Sequence, residues 1–202
     1  MEVRQPLPPD IRHLILDRDG VLNQEAAEHG YILRPEDFQW LPGSLQALVT
    51  LSRLGLRISI ATNQSAVGRG LMSPRQLEQV LAAMRTQAQA AGAHIDGVYA
   101  CPHSPGAHCD CRKPAPGLIR SAVQDSGIPP TQTLLVGDDV RDVEAARAAG
   151  VSAVLVRTGK GSRACAQLSE HGILLPVFDD LAHLARAFAS QERTIQDRLT
   201  HD

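Results

Sequence analysis

Short apolar segments alternate with segments of helical periodicity along the whole chain of 202 residues. This alternation is typical of parallel strands that are covered by helices on both faces of a sheet. The length allows one sizeable core, and no Pro-, Gly- or Ser-rich linker is long enough to separate two domains. The sequence therefore predicts a single α/β domain over residues 1–202, with three layers around a central, mainly parallel sheet. The predicted strands are His13–Leu16, Leu56–Ala61, Ile95–Ala100, Thr133–Val136, Ala153–Val156 and Leu174–Phe178.

Helix signals lie between these strands. Ser73, Pro74 and Gln76 have the order of an N-cap, a first-turn proline and the second half of a capping box. Apolar residues then recur at helical spacing from Leu77 onward, and Gly92 can end this helix. Further helices are predicted from Leu45 to near Gly55, from about Pro116 to Gln124, from about Val140 to Ala149 and from about Asp180 to Ala189.

Charge and composition narrow the possible partners. Lysine and arginine number 20 against 22 acidic residues, the net charge is −2, and aromatic residues make up 3% of the chain. Nucleic-acid binding requires a basic surface and stacking rings, so it is not expected. No apolar stretch approaches the roughly 20 residues that cross a bilayer, and the first ten residues lack the apolar core of a signal peptide. We expect a cytoplasmic monomer that acts on a small molecule, without a membrane partner.

Two acidic residues follow the first predicted strand at a spacing that places them together. Asp17 and Asp19 come directly after the run Leu14-Ile15-Leu16, and Gly20 then breaks the strand. Residues i and i+2 of a strand share a face, and open α/β sheets bind ligands at the carboxyl ends of their strands. Two crowded carboxylates repel each other unless a cation lies between them or one is protonated. The pair suits a nucleophile beside a general acid/base held by Mg²⁺, although a strand followed by a polar turn has the same residues.

Three further strand ends carry polar groups toward the same edge of the sheet. Hydroxyl and amide donors, one lysine and several acids are what phosphoryl transfer through an aspartyl phosphate requires. Each segment alone also fits a loop with capping residues, and Ser65 and Asp142 fit that alternative equally well. The groups are Thr62, Asn63, Gln64 and Ser65 after the second strand, Arg112 and Lys113 after the third, and Gly137, Asp138, Asp139 and Asp142 after the fourth.

Cysteine and histidine residues cluster after the third predicted strand, whereas Cys165 stands apart. The cluster consists of Cys101, His103, Cys109 and Cys111. In a reducing compartment such a cluster indicates metal ligation before disulfide bonding, and a loop with incidental thiols is the alternative. Three thiolates and one imidazole match a closed tetrahedral zinc site, which leaves no position for water and is therefore structural. Residues 101–111 directly precede Arg112 and Lys113, so zinc is expected to hold a loop that directs both cations at substrate.

The strand-end motifs resemble those of the haloacid dehalogenase-like phosphatases, and the resemblance covers most of the chain. The matching segments are Asp17-Arg18-Asp19-Gly20, Thr62-Asn63-Gln64, Lys113 and Gly137-Asp138-Asp139. The resemblance implies a capless, Rossmann-like fold with Asp17 as nucleophile and Asp19 as general acid/base. It implies that Thr62 and Lys113 bind the phosphoryl group. It also implies Mg²⁺ held by Asp17, by the backbone carbonyl of Asp19 and by Asp138.

Two zinc-bearing branches of this superfamily fit the chain: the D-glycero-D-manno-heptose 1,7-bisphosphate 7-phosphatases and the histidinol-phosphate phosphatases. The segments similar to the heptose branch are Glu28-His29-Gly30-Tyr31, Thr62-Asn63-Gln64-Ser65 with Gly68-Arg69-Gly70, and Arg157-Thr158-Gly159-Lys160. This similarity implies removal of the 7-phosphate in bacterial lipopolysaccharide heptose synthesis. It implies contacts to the sugar bisphosphate from Glu28, His29, Gly30, Tyr31, Asn63, Gln64, Ser65, Arg112 and Asp139.

Arg112 is expected to clamp the phosphate that does not react, because guanidinium binds phosphate with two parallel hydrogen bonds. Three departures from the heptose branch leave the identity of the substrate undecided. They are a longer segment from Gly20 to His29, a short zinc loop, and Asp139 where some heptose enzymes carry lysine. Histidinol phosphate is therefore the alternative substrate. A non-catalytic, zinc-stabilised binding module is the alternative of a different class.

Overall fold

The computed structural model describes residues 7–25 and 30–199, with side chains described up to residue 192. One six-stranded parallel sheet has the order β3-β2-β1-β4-β5-β6. Its strands are β1 His13–Leu16, β2 Arg57–Asn63, β3 Gly97–Cys101, β4 Thr133–Gly137, β5 Ser152–Val156 and β6 Val177–Phe178. The chain order reverses between the neighbours β1 and β4, and such a switch point opens a crevice at the carboxyl ends of the strands.

Helices cover both faces of this sheet. They are α1 Ser44–Arg53, α2 Ser65–Gly68, α3 Pro74–Ala90, α4 Gly117–Ser126, α5 Val140–Ala149, α6 Gly161–Glu170 and α7 Leu181–Leu199. Leu14 and Leu16 of β1 pack in the core with α1, α3 and α7, whereas Ile15 packs in a second core with α4 and α5. Strands that are buried on both faces explain the continuous apolar runs in the sequence. The predicted three-layer α/β architecture is confirmed.

The predicted capping box of α3 is also confirmed. The Ser73 hydroxyl accepts a hydrogen bond from the Gln76 amide at 3.2 Å, and the Gln76 side chain accepts one from the Ser73 amide at 2.8 Å. The buried positions of this helix are Leu77, Val80, Met84 and Ala88, which follow the helical spacing of the sequence. The local signals and the packing of this helix therefore agree.

Some element boundaries differ from the prediction. β3 begins at Gly97 because the residue before it, Asp96, uses its carboxylate to accept the Ile58 amide at 2.8 Å. Helix α6 was not predicted, although Ala164 and Leu168 lie four residues apart on its buried face, as helical periodicity requires. β6 is shorter than predicted, and Leu174 is exposed instead of lying in a strand. Among the described helices, none is long and apolar enough to cross a membrane.

A buried histidine links three strands at the amino-terminal edge of the sheet. His13 is fully buried, with Nε2 3.0 Å from the Ser59 hydroxyl and Nδ1 3.4 Å from the Thr133 hydroxyl. Burial lowers the pKa of His13 to about 4, and the charge of Arg57 acts in the same direction. The imidazole is therefore neutral in the folded protein at neutral pH.

This histidine makes folding stability depend on pH. The unfolded chain binds a proton at His13 near pH 6.5 and the folded protein only near pH 4, so its contribution is complete above pH 6.5 and is lost as the pH falls toward 4. Relative to His13→Gln, which does not titrate, we expect the native protein to lose about 2 kcal/mol more between pH 7 and pH 4.5. Urea unfolding at both pH values measures this difference, and equal losses in the two proteins would contradict it.

Candidate active site

A buried lysine joins three elements at the carboxyl edge of the sheet. The Lys113 ammonium lies 3.0 Å from an Asp17 carboxylate oxygen, 2.6 Å from Asp142 and 2.8 Å from the carbonyl of Ala61. These three acceptors use all three of its donors, and the side chain is only 3% exposed. Asp17 reaches this point because its amide continues the β1–β4 ladder to Val136. Burial lowers the pKa of Lys113, but the charges of Asp142 and Asp17 outweigh it and raise the pKa overall.

Three carboxylates meet at this lysine. One oxygen each of Asp17, Asp138 and Asp142 lies within 4.8 Å of the others. Burial raises the pKa of Asp17 to about 7, against the opposing charge of Lys113. Burial and then repulsion from Asp17 raise the pKa of Asp138 to about 8. When all three acids are ionised, the single ammonium leaves two negative charges, which a divalent cation with oxygen ligands would neutralise.

Asp142 was expected to be either a capping residue or part of the acidic group. Its two carboxylate oxygens fill both roles. One oxygen contacts Lys113, and the other accepts the amides of Asp138 and Asp139 at 3.2 and 3.1 Å. Both oxygens are therefore committed within the protein. Of the three carboxylates, Asp17 and Asp138 are the pair left to face a metal ion.

Asp19 lies in a different electrostatic environment from Asp17. Its carboxylate accepts hydrogen bonds from Arg18 at 2.7 and 2.9 Å, from Asn23 at 2.9 Å and from Gln64 at 2.8 Å. Burial acts to raise the pKa of Asp19, but the charge and hydrogen bonds of Arg18 outweigh it, so the pKa is lowered. The pKa values of Asp17 and Asp19 are thus shifted in opposite directions.

The polar side chains at the end of β2 mostly form hydrogen bonds within the protein. The Asn63 side-chain amide accepts a hydrogen bond from the Lys113 backbone N–H and donates one to the Lys113 backbone carbonyl, both at 3.0 Å. The Gln64 amide donates to Asp19 and to the Thr62 hydroxyl, each at 2.8 Å. Ser65 begins the short helix α2 and is buried. Asn63 therefore fixes the backbone of Lys113, a contact that the sequence pattern did not indicate.

The cysteine and histidine cluster is assembled at one point. The separations are 3.1 Å for Cys101–Cys111, 3.2 Å for His103–Cys111, 3.5 Å for Cys101–His103 and Cys109–Cys111, and 3.6 Å for Cys101–Cys109. A zinc–sulfur bond of about 2.3 Å implies roughly 3.8 Å between tetrahedral ligands, so the four groups fit zinc closely. Helix α2 packs on this loop, where the Gly68 amide donates to the Pro102 carbonyl at 2.7 Å and a side chain at Gly68 would overlap Ser104.

Other residues expected to contact substrate occupy varied positions. Arg112 donates to the His103 carbonyl at 3.3 Å and is partly exposed. Asp139 caps α5 and forms a bidentate pair with Arg141, with distances of 2.7 and 3.1 Å. Gly30 is exposed and Tyr31 packs at the margin of the first core, whereas Glu28 and His29 lie outside the described residues. Arg141 was missed by the sequence analysis, and its place two residues after Asp139 is the signal that could have found it.

The segment after β5 closes over Asp138. The Thr158 hydroxyl donates to the Gly20 carbonyl at 2.6 Å, and the Lys160 amide donates to Asp138 at 2.8 Å. Gly159 has φ of +57°, and a side chain there would overlap both the Asp138 carboxylate and Gly20. The Lys160 ammonium pairs with Glu25. This segment therefore ties the turn after β1 to the turn after β4.

Sequence similarity extends over most of the chain. A family model described as HAD-hydrolase-like matches residues 110–184. The D-glycero-β-D-manno-heptose-1,7-bisphosphate 7-phosphatase of Pseudomonas aeruginosa is 40% identical over 174 residues, which cover 86% of this chain and 96% of that protein. The enzyme of the same name from Neisseria meningitidis serogroup B is 38% identical and covers 90% and 96% of the two chains.

Structural similarity agrees with the sequence. The crystal structure of D,D-heptose 1,7-bisphosphate phosphatase from Bordetella bronchiseptica, complexed with magnesium and phosphate, superposes with a TM-score of 0.82 at 35% identity. The aligned region covers 90% of this chain and 99% of the Bordetella bronchiseptica chain. The resemblance inferred from the four motifs is thus confirmed: the chain belongs to the heptose bisphosphate phosphatase family of the HAD-like hydrolases.

Proposed function

We propose that this protein hydrolyses the 7-phosphate of D-glycero-D-manno-heptose 1,7-bisphosphate through an aspartyl-phosphate intermediate. The observation that carries the proposal is the meeting of Asp17, Asp138 and Lys113 at one buried point of the sheet edge. The names of the relatives supply the substrate. A reducing cytoplasm remains the expected compartment, because the thiols of the cluster would act as metal ligands there.

The reaction has two chemical steps, in which Asp17 is the nucleophile and Asp19 transfers the protons. In the first, an Asp17 oxygen attacks phosphorus, the bond to the sugar oxygen breaks, and Asp19 donates a proton to that oxygen. In the second, Asp19 takes a proton from a water molecule, which attacks the same phosphorus and releases phosphate and Asp17. The Thr62 hydroxyl is suited to hold a phosphoryl oxygen, and the Lys113 ammonium, whose donors are taken by Asp17, Asp142 and the Ala61 carbonyl, supplies positive charge beside it.

Mg²⁺ fits the carboxylates described above. Asp17, Asp138 and the backbone carbonyl of Asp19 would hold it, while Asp142 stays committed to Lys113 and the α5 backbone. When bound, the ion supplies charge neutralisation for the phosphoryl oxygens. The related phosphatase from Bordetella bronchiseptica was crystallised as a complex with both magnesium and phosphate, which supports this assignment.

Zinc is assigned a structural role in this proposal. Its four ligands leave no position for water, and Arg112 and Lys113 follow the last ligand directly. Asn63 then grips the Lys113 backbone from β2. The zinc loop and Asn63 together would keep the Lys113 ammonium at Asp17.

Substrate recognition is assigned to the periphery of this edge. We propose that Glu28, His29, Gly30 and Tyr31 form one wall and that Arg112 clamps the phosphate that is not cleaved. The Gln64 side-chain oxygen and the Ser65 hydroxyl would contact the sugar bisphosphate beside Thr62, and the Asn63 side chain, which is bonded to the Lys113 backbone, would assist by holding that lysine. Asp139 remains a proposed contact, and its bidentate pair with Arg141 lowers its repulsion for a phosphate.

The substrate is tested with a panel of three phosphate esters. We expect kcat/KM to be highest for heptose bisphosphate, ahead of histidinol phosphate and fructose 1,6-bisphosphate, with one phosphate released and the 1-phosphate retained. Phosphate release and mass spectrometry of the product measure this. A highest value for histidinol phosphate would overturn the substrate. Asp17→Asn is the control and should lower kcat at least about 10³-fold. If Asp17→Asn still replaced the native protein fully in cells, a binding module would be favoured.

Magnesium dependence is tested at Asp138. We expect chelation to abolish turnover and Mg²⁺ to restore it. In Asp138→Asn, which weakens one of the two metal-facing carboxylates, the Mg²⁺ concentration for half-maximal rate should rise at least about tenfold. Asp179→Asn removes an exposed carboxylate outside the site and serves as the matched control. An unchanged Mg²⁺ requirement in Asp138→Asn would rule out this ligand.

The zinc loop is tested by removing one thiolate. Cys109→Ser should release zinc, as measured by elemental analysis, and should lower kcat/KM about 10- to 100-fold because Lys113 loses its support. Cys165→Ser lies outside the cluster and should keep both its zinc and its activity. A zinc-free Cys109→Ser protein with unchanged kcat/KM would show that the loop does not position the active lysine.

A further inference from the structure

A fully buried arginine stands between the two acids of the first motif. Arg18 is 1% exposed and is the bulkiest of the fully buried side chains described. Its Nη2 lies 2.7 and 2.9 Å from the two oxygens of Asp19, and its Nε lies 3.2 Å from one of them. Within the described residues, its Nη1 has no hydrogen-bond partner.

Stability does not account for this residue. Burying a guanidinium removes its hydration, and a buried ion pair is often no more stable than well-packed apolar side chains of similar volume. An unpaired buried N–H adds a further penalty. A protein keeps such an arrangement where it serves a purpose other than folding. Among the described residues, the Arg18 side chain forms an ion pair only with Asp19, while its backbone amide donates to the Asp17 carboxylate at 2.7 Å.

The contacts of Arg18 belong to a set that fixes one carboxylate. Asn23 and Gln64 donate to the two Asp19 oxygens at 2.9 and 2.8 Å. Asn23 is itself held by the Gln24 carbonyl at 2.8 Å, and Gln64 is held by Thr62. Donors from three directions therefore define both the position and the plane of the Asp19 carboxylate. Arg18 supplies the charge in this set and makes contact with both oxygens.

We propose that Arg18 is a positioning residue, which holds the Asp19 carboxylate in the orientation in which it takes the proton from water in the second step. The inference rests on the proposed function, since Asp19 has a reaction to serve only in a phosphatase. Arg18 would act through Asp19, because its side chain is 1% exposed and its ion pair is with that carboxylate. Its loss should therefore lower kcat while KM for heptose bisphosphate changes less than about twofold, because ground-state binding is retained.

The test is a double-mutant cycle between Arg18 and Asp19. Arg18→Met keeps the length and buried volume but removes every donor. We expect it to lower kcat about 30-fold in the native background, part of the 10²- to 10⁴-fold that proton transfer contributes. In the Asp19→Asn background it should lower kcat less than about twofold, since the residue it orients no longer transfers a proton. Arg18→Lys should recover part of the rate, and Arg12→Met is the matched control at the opposite edge of the sheet.

A role confined to folding would lower kcat by the same factor in both backgrounds, and that result would overturn the inference, as would an unchanged kcat in Arg18→Met. If Arg18→Met does not give the native circular dichroism spectrum, Arg18→Lys carries the same cycle with a smaller expected factor. A native protein that releases no phosphate from heptose bisphosphate would overturn the proposed function and this inference together. A native protein that does, with equal losses in both backgrounds, would overturn the inference alone.

Discussion

The contact of the Lys113 ammonium with Asp17 and Asp142 is the interaction on which this site depends. Without a buried cation, three carboxylates would not share so small a volume at the end of a parallel sheet. Two other features hold this lysine in place. The Asn63 side chain forms hydrogen bonds to its backbone, and the cysteine loop ends at Cys111, with only Arg112 between it and Lys113. Its single charge also leaves room for a divalent ion, so one side chain sets both the geometry and the charge of the site.

A second ion pair separates the two acids of the first motif. Burial raises the pKa of Asp17 to about 7, whereas the charge and hydrogen bonds of Arg18 outweigh burial at Asp19 and lower its pKa. Two identical side chains two residues apart thus acquire different chemical character from their surroundings.

The sequence predicted the sheet and the meeting of the motifs well, because apolar runs mark parallel strands and strand ends share an edge. It predicted the capping box of α3 for a similar reason, since every contact there is local. It did not reveal that Asn63 and Gln64 use their amides inside the protein, or that Arg141 neutralises Asp139. Such pairings depend on side-chain orientation across distant segments. Helix α6 was missed although its buried residues Ala164 and Leu168 keep helical spacing, so this signal was in the sequence.

The glycine contact over Asp138 has a consequence for how this protein can diversify. Because a side chain at Gly159 would overlap both Gly20 and Asp138, the turns after β1, β4 and β5 meet too closely there for any residue larger than glycine. The loop 101–111 is less constrained, since a side chain at Gly106 would meet no other atom. Selectivity toward other esters would therefore change more readily through that loop than through the residues around Asp138.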